Sequence, residues 1–290
     1  MKTFLLIDAS ALLYRFFHAL PPLTTPSGNP IGAIYGLTVV LLKIFREQKP
    51  DFAAAALDRP EKTFREEQFR EYKIQRPPAP DALIEQIKKL PEIFSLFNIR
   101  TFEQAGFEAD DLIGTLAEHF AEENTLKIII LSGDLDVLQL VQGDKVIAQI
   151  IKTGVTNTDF YNETKVAERY GLGPDKLKDY KGLVGDASDN IPGVKGVGPK
   201  TASALLKTYG SLEAIYDNLG LIPGKVAVKL EGQRENALFS RQLATIRKDV
   251  PIEFPPLQEL ALAPLNSDQL KPYFEKMGFT SLIKRLENNG

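Results

Sequence analysis

Short apolar runs and amphipathic helical patterns alternate along the first half of the chain. The apolar runs have the length of buried strands, and the segments between them carry apolar residues three and four positions apart. Strands that alternate with helices predict an α/β fold, with a mostly parallel central sheet wrapped by helices. The four predicted strands cover residues 3–7, 52–57, 127–131 and 146–151.

The pattern changes beyond about residue 160, where the strand signals fade and helices separated by Gly and Pro follow. We therefore divide the chain into an α/β core, residues 1–180, and a helical subdomain, residues 181–290. Residues 59–76 interrupt the pattern of the core, because they contain six Lys or Arg, four Glu and few aliphatic side chains. Such a segment supplies little apolar core, and a helix that Asp81 can cap follows it.

The composition excludes several classes of protein. The 290 residues contain no Cys, which rules out a disulfide framework, a thiolate zinc site, an iron–sulfur cluster and a thiol nucleophile. The apolar run at the N-terminus is too short for a signal peptide, and no stretch approaches the roughly 18 apolar residues of a membrane span. We therefore expect a cytoplasmic protein that does not cross a membrane.

Acidic residues follow three of the predicted strands. Asp8 ends the first, Asp58 follows the second, and Asp134 and Asp136 follow the third. In open α/β sheets, ligands bind outside the carboxyl ends of the strands, so these side chains are expected to meet in one crevice. Taken singly, each Asp can also be a helix N-cap or a turn residue.

Two further acidic groups lie at helical or turn spacing. Glu108, Asp110 and Asp111 open a predicted helix, where acids also compensate the helix dipole. Asp186 and Asp189 stand three positions apart beside a glycine, a pattern that an Asx-turn explains as well. Together with the four acids that follow strands, these make nine candidate site carboxylates.

Nine carboxylates in one cleft cannot all be ionised without positive charge nearby, because like charges raise one another's pKa. A site made of oxygen ligands, without Cys and with almost no His, selects Mg²⁺ or Mn²⁺ over zinc. The number of acids suits two ions, which stabilise the attacking and leaving oxygens of a phosphoryl displacement. The prediction is phosphodiester hydrolysis. Apart from these nine, 29 acids remain against 35 bases, although the net charge of the chain is −3.

A second signal lies in residues 190–212, which contain three lysines and no acid. Glycines form a tight turn there, and a helix with an apolar stripe follows it. Free backbone N–H groups at a helix N-terminus suit a phosphate, so we interpret the segment as a helix–hairpin–helix at about residues 190–210. A simple turn that connects two helices is the alternative.

Basic and aromatic side chains are interleaved in residues 59–76. The nucleobases of a single strand stack on aromatic rings while Lys and Arg side chains contact its phosphates, so this segment is a candidate for single-strand binding. The alternative is a solvated amphipathic helix. His18 and His119 lie in helical patterns, and we assign them no role.

With these motifs, the chain resembles the 5′-nuclease (flap endonuclease) domain of bacterial DNA polymerase I. The resemblance covers essentially the whole chain. It is carried by Leu-Ile-Asp8, Thr63-Phe64-Arg65, Tyr72-Lys73-x-x-Arg76-Pro77-Pro78, Glu108-Ala-Asp110-Asp111, Ser132-Gly133-Asp134-x-Asp136, Gly185-Asp186-x-Ser-Asp189-Asn190 and Pro192-Gly193-Val-x-Gly196-Val-Gly198-x-Lys200-Thr201-Ala202.

The resemblance implies a structure-specific nuclease that removes 5′ flaps and RNA primers from duplex DNA. Residues 59–90 would form a helical arch, in which Lys73 and Arg76 meet the scissile phosphate and Tyr72 stacks on a base. The first metal would be served by Asp8, Asp58, Glu108, Asp110 and Asp111, and the second by Asp134, Asp136, Asp186 and Asp189. The expected DNA-binding residues are Arg65, Arg70, Tyr72, Gly193, Lys195, Gly196, Gly198, Lys200 and Thr201.

The expected cofactors are two Mg²⁺, for which Mn²⁺ can substitute, and a K⁺ at the hairpin. The expected partners are flapped, nicked or 5′-ended duplex DNA, RNA-primed DNA, and a polymerase as a further domain or a separate protein. We expect a monomer that associates with the bacterial nucleoid.

The chain departs from the family pattern at Asp58, where Leu57-Asp58-Arg59-Pro60 replaces the usual Phe-Asp-Ala. The acid is kept, but Arg59 and Pro60 can alter the entry to the arch. No polymerase domain follows within the 290 residues.

Two rival hypotheses remain. The first is a DNA-binding relative that has lost catalysis, against which the complete set of nine acids argues. The second is a phosphatase of the haloacid-dehalogenase type, which needs an Asp two residues after the first one. Position 10 here is Ser.

Overall fold

A six-stranded sheet forms the centre of the structure, a computed structural model that describes residues 1–287. Its strands are β1 (Lys2–Asp8), β2 (Phe52–Ala56), β3 (Arg100–Phe102), β4 (Leu126–Ser132), β5 (Val146–Thr153) and β6 (Asn157–Tyr161). They lie in the order β3-β2-β1-β4-β5-β6. The first five pair in parallel, and β6 pairs antiparallel with β5.

Fourteen α-helices surround or follow this sheet within the described residues. The first seven are α1 (Ala9–Ala19), α2 (Gly32–Glu47), α3 (Phe64–Gln68), α4 (Asp81–Ile87), α5 (Leu90–Leu96), α6 (Ala109–Phe120) and α7 (Glu163–Tyr170). The others are α8 (Leu177–Val184), α9 (Pro199–Tyr209), α10 (Leu212–Asp217), α11 (Gly224–Leu230), α12 (Arg234–Ala244), α13 (Ser267–Met277) and α14 (Thr280–Glu287). Short 3₁₀ helices cover Asp136–Leu140, Pro174–Lys176, Leu219–Leu221 and Leu257–Leu260.

The central strand β1 is covered on both faces. Successive side chains of a strand point to opposite faces, and here Phe4 and Leu6 join one core while Leu5 and Ile7 join the other. The first core is completed by apolar residues of α6. The second is completed by α1, α2, α5, α13 and α14. This double covering explains why the predicted strands are uniformly apolar rather than alternating.

A third core belongs to the helical part of the chain. Leu183 of α8, Leu212 of α10 and Ala237 of α12 pack in it with the buried face of α9. That face consists of Ala202, Leu205 and Leu206, in agreement with the predicted apolar stripe. The helix begins with Pro199 directly after the predicted glycine turn.

All four predicted strands are confirmed, with ends that shift by one or two residues. The strands that the sequence pattern did not predict are β3 and β6. With three residues, β3 is too short to show periodicity, and β6 is a polar edge strand, Asn-Thr-Asp-Phe-Tyr.

The division of the chain at residue 180 does not describe the packing completely. Phe274 of α13 and Leu282 of α14 lie in a core of the sheet domain, although the pattern grouped them with the helical subdomain. An isolated β-bridge between Phe52 and Ala261 leads the chain back to the sheet.

Residues 59–80 fold differently from the expected helical arch. They contain one five-residue helix, α3, and otherwise consist of turns, bends and irregular backbone. Lys73 N donates to Asp189 O at 3.0 Å, and Gln75 Nε2 donates to Ala187 O at 2.9 Å. The segment therefore lies against the loop that precedes the hairpin.

No helix within residues 1–287 is both long enough and apolar enough to cross a membrane.

The glycine turn depends on a close backbone contact at Gly193. Its φ is +62°, and a Cβ there would lie 2.2 Å from Gly185 N. Its own N–H donates to Ser240 Oγ at 3.1 Å, and the next residue, Val194, donates to Leu183 O at 2.7 Å. The hairpin is thereby held against both α8 and α12.

We predict that Gly193→Ala lowers the free energy of unfolding by about 3 kcal/mol, since it adds both backbone strain and a steric overlap. Gly196→Ala is the matched control, because Gly196 has φ +83° but only ordinary contacts at 3.5 Å. Left-handed strain alone costs about 1 kcal/mol. Chemical denaturation measures both variants, and equal losses would contradict the steric argument.

Candidate active site

The acidic residues predicted from strand ends lie at the carboxyl edge of the sheet. Asp8 is the last residue of β1 and is 3% exposed. Its carboxylate accepts hydrogen bonds from Ala11 N at 3.1 Å and from Ser132 Oγ at 2.7 Å. Asp8 is thus also the N-cap of α1. The capping role, which the sequence analysis gave as the alternative, and a place at the acidic site belong to the same residue. Burial raises the pKa of Asp8 to about 7.

Asp58 connects the end of β2 to the start of α6. Its Oδ1 accepts a hydrogen bond from Ala109 N at 2.7 Å, while Ser10 Oγ accepts one from Asp58 N at 2.8 Å. Asp58 interacts electrostatically with Asp8 and Glu108, so it lies between the strand-end acids and the first turn of α6. Ser10, which the sequence analysis used only to exclude a phosphatase, positions this carboxylate.

The first carboxylate cluster consists of Glu108, Asp110 and Asp111, with one oxygen of each residue within 4.8 Å of the others. Asp110 differs from the other two: its Oδ1 is buried and makes no hydrogen bond within residues 1–287. Burial, followed by the charge of Asp111, raises the pKa of Asp110 well above its usual value. A buried carboxylate oxygen without a donor is suited to bind a divalent cation, so Asp110 fits the expected metal.

Asp111 has a structural role that the sequence analysis did not foresee. It is fully buried and receives hydrogen bonds from Arg65 Nη1 at 2.6 Å and Nη2 at 2.8 Å. The backbone N–H of Arg247 donates to it at 2.8 Å. Its oxygens are therefore occupied by protein donors, which does not favour the expected role of Asp111 as a metal ligand.

Arg65 was expected to bind DNA, and its position corrects that expectation. Its side chain is 2% exposed, and it also donates to Leu243 O at 2.8 Å and Thr245 O at 2.9 Å. A guanidinium in this position cannot reach a phosphate. Arg65 instead binds α3 to α6 and to the end of α12.

Glu108 is surrounded by donors from residues 59–80. Lys73 Nζ donates to one of its oxygens, and the other accepts from Arg65 Nη1 and Tyr72 Oη, both at 3.0 Å. Burial acts to raise the pKa of Glu108, but the charges of Lys73 and Arg65 outweigh it and hold the pKa below its usual value.

Tyr72 was expected to stack on a base, but it is only 5% exposed. Its ring packs with Ile191 and Leu243, and its hydroxyl contacts Glu108 Oε2 at 3.0 Å and Asp189 Oδ2 at 3.1 Å. Burial, then the charges of these two acids, raises the pKa of the phenol, so it remains a donor. In this structure Tyr72 links two carboxylate groups rather than presenting a stacking surface.

The second carboxylate cluster consists of Asp136, Asp186 and Asp189, again with one oxygen of each within 4.8 Å of the others. Lys181 Nζ contacts both oxygens of Asp136 and lies 2.6 Å from Asp186 Oδ2. Asp134 lies beside this cluster, more exposed, and its Oδ1 accepts a hydrogen bond from Asp136 N at 2.9 Å.

Lys73 and Arg76 lie between the two clusters. They are the positively charged residues of the arch that were expected to be catalytic. Arg76 donates to Asp189 Oδ1 and, at 3.1 Å, to Ser188 O. Lys73 Nζ lies 4.0 Å from Asp189 Oδ2 in addition to its contact with Glu108. The backbone of Lys73 has a positive φ of 54°, an uncommon conformation for a residue with a side chain.

The other predicted DNA-binding cations differ from these site cations. Arg70 of the segment 59–76 and Lys195 and Lys200 of the hairpin are exposed, and within residues 1–287 none of the three makes an ion pair. Gly193, Gly196, Gly198 and Thr201 form the turn and the first helical residues beside them. Positive charge that lacks a protein partner remains available for phosphates.

The sequence analysis missed Lys181. Lys181 lies in an ordinary amphipathic helix, and the one available signal was its position five residues before Asp186, one helical turn and a loop away. Ser132 belongs to a motif that the sequence analysis quoted, but it was given no role there. In the structure it is fully buried and donates to Asp8.

Two family models match the chain. One, described as the 5′-3′ exonuclease N-terminal resolvase-like domain, covers residues 3–171, and the other, the 5′-3′ exonuclease C-terminal SAM fold, covers residues 172–268. The chain belongs to the 5′-3′ exonuclease family. The boundary between the two family models lies at the start of the third core, directly after α7.

Relatives in this exonuclease family are of two lengths. The DNA polymerase I of Caldicellulosiruptor bescii is 43% identical over 284 residues, which are 97% of this chain and 33% of that protein. The 5′-3′ exonuclease of Aquifex aeolicus is 37% identical over 287 residues, 99% of this chain and 96% of that protein. The chain thus spans about a third of the polymerase relatives and nearly all of the Aquifex exonuclease.

Solved structures of nucleases share the fold. T5 5′-exonuclease with bound divalent zinc ions has a TM-score of 0.67 and 25% identity, covering 84% of this chain and 89% of that one. The catalytic core of Rad2 in complex with DNA substrate has a TM-score of 0.59 and 15% identity, covering 95% of this chain and 87% of that one. The fold class predicted from the sequence is confirmed.

We predict that Arg65→Met lowers the free energy of unfolding by about 3–5 kcal/mol, because it leaves Asp111 buried without its counter-charge. Arg70→Met is the matched control: it removes the same charge from the same segment at an exposed position and should change stability by less than about 0.5 kcal/mol. Chemical denaturation measures both. A loss below about 1 kcal/mol for Arg65→Met would contradict the structural role.

Proposed function

We propose that the protein is a structure-specific 5′ nuclease, which hydrolyses phosphodiester bonds in 5′ flaps and in nicked or RNA-primed duplex DNA. The observation that carries the proposal is the pair of carboxylate clusters at one edge of the sheet, linked by Tyr72 and adjoining a hairpin with unpaired lysines. Membership of the exonuclease family supports the reaction, and the DNA complex of the Rad2 core supports the substrate class.

Two divalent ions are part of this proposal. Asp8, Asp58, Glu108 and Asp110 would hold the first, and Asp134, Asp136, Asp186 and Asp189 the second. Metal ions bound in T5 5′-exonuclease support divalent ions as a class, and the oxygen ligands favour Mg²⁺, with Mn²⁺ as a substitute. Such ions, when bound, stabilise the charge that develops on the attacking and leaving oxygens.

The protein's own cations complete the proposed site. Lys73 pairs with Glu108 and Arg76 pairs with Asp189. Both side chains are long enough to turn from these carboxylates toward a scissile phosphate that lies between the two clusters. There they stabilise charge that grows in the transition state. Tyr72 fixes the spacing between the two clusters, because its hydroxyl contacts a carboxylate of each.

The hairpin is proposed to hold the duplex on the downstream side. Lys195, Lys200 and the free N–H groups at the start of α9 would contact phosphates without reading bases. A K⁺ at this turn, a polymerase in the same chain or a separate one, and a monomeric state belong to the same proposal. The polymerase relatives, three times as long as this chain, support the polymerase partner.

We predict that Asp110→Asn slows single-turnover cleavage of a 5′-flap substrate by about 10²-fold or more in Mg²⁺, while duplex affinity persists. Glu118→Gln is the matched control at the exposed end of the same helix, where Glu118 pairs with Lys248. It should cleave at the rate of the unmodified protein. Metal-dependent cleavage at the normal rate by Asp110→Asn would overturn the proposed ion site.

A second prediction concerns salt. Replacing Lys195 and Lys200 with Ala should weaken binding to any duplex sequence and lower the slope of log K against log salt by about 0.9 per lost phosphate contact. Lys88 and Lys248, which pair with Glu85 and Glu118, form the control pair, and their double Ala variant should keep the slope. An unchanged slope for the hairpin variant, or a loss confined to certain sequences, would count against this placement.

A further inference from the structure

Lys181 lies inside the second carboxylate cluster. Its side chain is 17% exposed, and its ammonium contacts both oxygens of Asp136 and one oxygen of Asp186. An ammonium is the ordinary charged form of lysine at neutral pH, and here it lies against two carboxylates. The cluster therefore already contains a cation, supplied by the protein.

The first cluster also contains protein cations, because Lys73 and Arg65 contact Glu108. The two clusters differ in whether every carboxylate oxygen has a donor. In the second, the other carboxylate oxygens also have donors: Asp186 Oδ1 accepts from Ser188 N at 2.8 Å, and Asp189 accepts from Arg76 and Tyr72. In the first, Asp110 Oδ1 is buried and has no donor among residues 1–287. The first cluster thus offers an ion an oxygen that no described protein group uses, whereas the six carboxylate oxygens of the second all have protein donors.

A divalent ion at the second cluster needs the oxygens that Lys181 contacts, so the ion and the ammonium compete for them. We propose that Lys181 is an internal competitor for the second divalent ion, and that its ammonium holds Asp136 and Asp186 until an ion displaces it. This inference rests on the proposed two-ion function. It also sets the order of loading, since the first cluster fills before the second.

The competition has a measurable size. When a protein group occupies a site for most of the time, the apparent affinity for a ligand falls by the fraction of time that the site is open. Coupling between two groups of this kind is commonly about 5-fold to 150-fold. Removal of the ammonium should therefore tighten ion binding at the second cluster by about tenfold or more, and leave the first cluster unchanged.

The experiment titrates Mn²⁺ into the whole protein without DNA, followed by calorimetry and by the Mn²⁺ magnetic resonance signal. The unmodified protein should show a tight step and a weak step. In Lys181→Met the weak step should move to higher affinity by about tenfold or more. Lys181→Gln keeps an amide donor to the carboxylates and serves as the second variant should Lys181→Met fail to fold.

Lys178→Met is the matched control, because Lys178 lies exposed on the same helix and its loss removes the same charge. It should leave both steps within about twofold, which separates local competition from general electrostatics. Melting temperatures give an independent reading. Without ions, Lys181→Met should melt below the unmodified protein, and saturating Mn²⁺ should raise its melting temperature by a larger interval.

Two failures are distinguishable. If the unmodified protein binds no Mn²⁺, the two-ion function itself is overturned. If it binds two ions but the weak step of Lys181→Met and Lys181→Gln stays unchanged or becomes weaker, only the competition is overturned. Lowered melting temperatures without a gain in Mn²⁺ affinity would show that Lys181 is a structural counter-charge alone.

Discussion

The need to neutralise carboxylates gathered at one edge of the sheet governs the rest of the structure. Parallel strands deliver their terminal acids to the same edge, and partial burial makes their mutual repulsion costly. The chain supplies cations of its own at this edge. Arg65 binds Asp111, Lys73 binds Glu108, Arg76 binds Asp189, and Lys181 binds Asp136 and Asp186.

Three of these four cations come from residues 59–80, and this explains how a segment with little apolar content is held in place. Its two strongest anchors are a fully buried Arg65–Asp111 pair and the hydroxyl of Tyr72 between two acids. Since buried pairs are costly to break by removing one partner, the segment is tied to α6 and to the loop at residues 186–191. Under the proposed function, ions would bind the carboxylates and DNA phosphates would bind the cations, and either would loosen those ties. Binding at the site and movement of the segment would then be coupled.

Four of the six strands, the apolar stripe of α9 and the gathering of acids were predictable, because each follows from a local periodicity or from the rule that strand ends meet. The roles of Arg65 and Tyr72 were not. Basic and aromatic residues in alternation look the same whether they face phosphates or carboxylates, and only the fold shows which charge lies opposite. Asp111 was assigned to a metal because the sequence does not show which cation lies opposite it. Its partner, the guanidinium of Arg65, lies 46 positions earlier in the chain. The contribution of Lys181 depends on how α8 meets the strand-end loop. Its position five residues before Asp186 does not reveal the contact with Asp136, 45 positions earlier.

The outcome is a separation of the protein's positive charges into two sets. The cations of the clusters are paired, partly buried and in competition with ions, whereas Lys195 and Lys200 of the hairpin are exposed and, within residues 1–287, make no ion pair. The free energy of binding a phosphate is most favourable for cations that lose no carboxylate partner when they bind it. The affinity for a duplex should therefore come mainly from the hairpin. Cations that must leave a carboxylate to meet a phosphate contribute little to affinity in the ground state. Under the proposed function they would act in the transition state, where the charge on the phosphate is larger and where ions would replace them on the carboxylates.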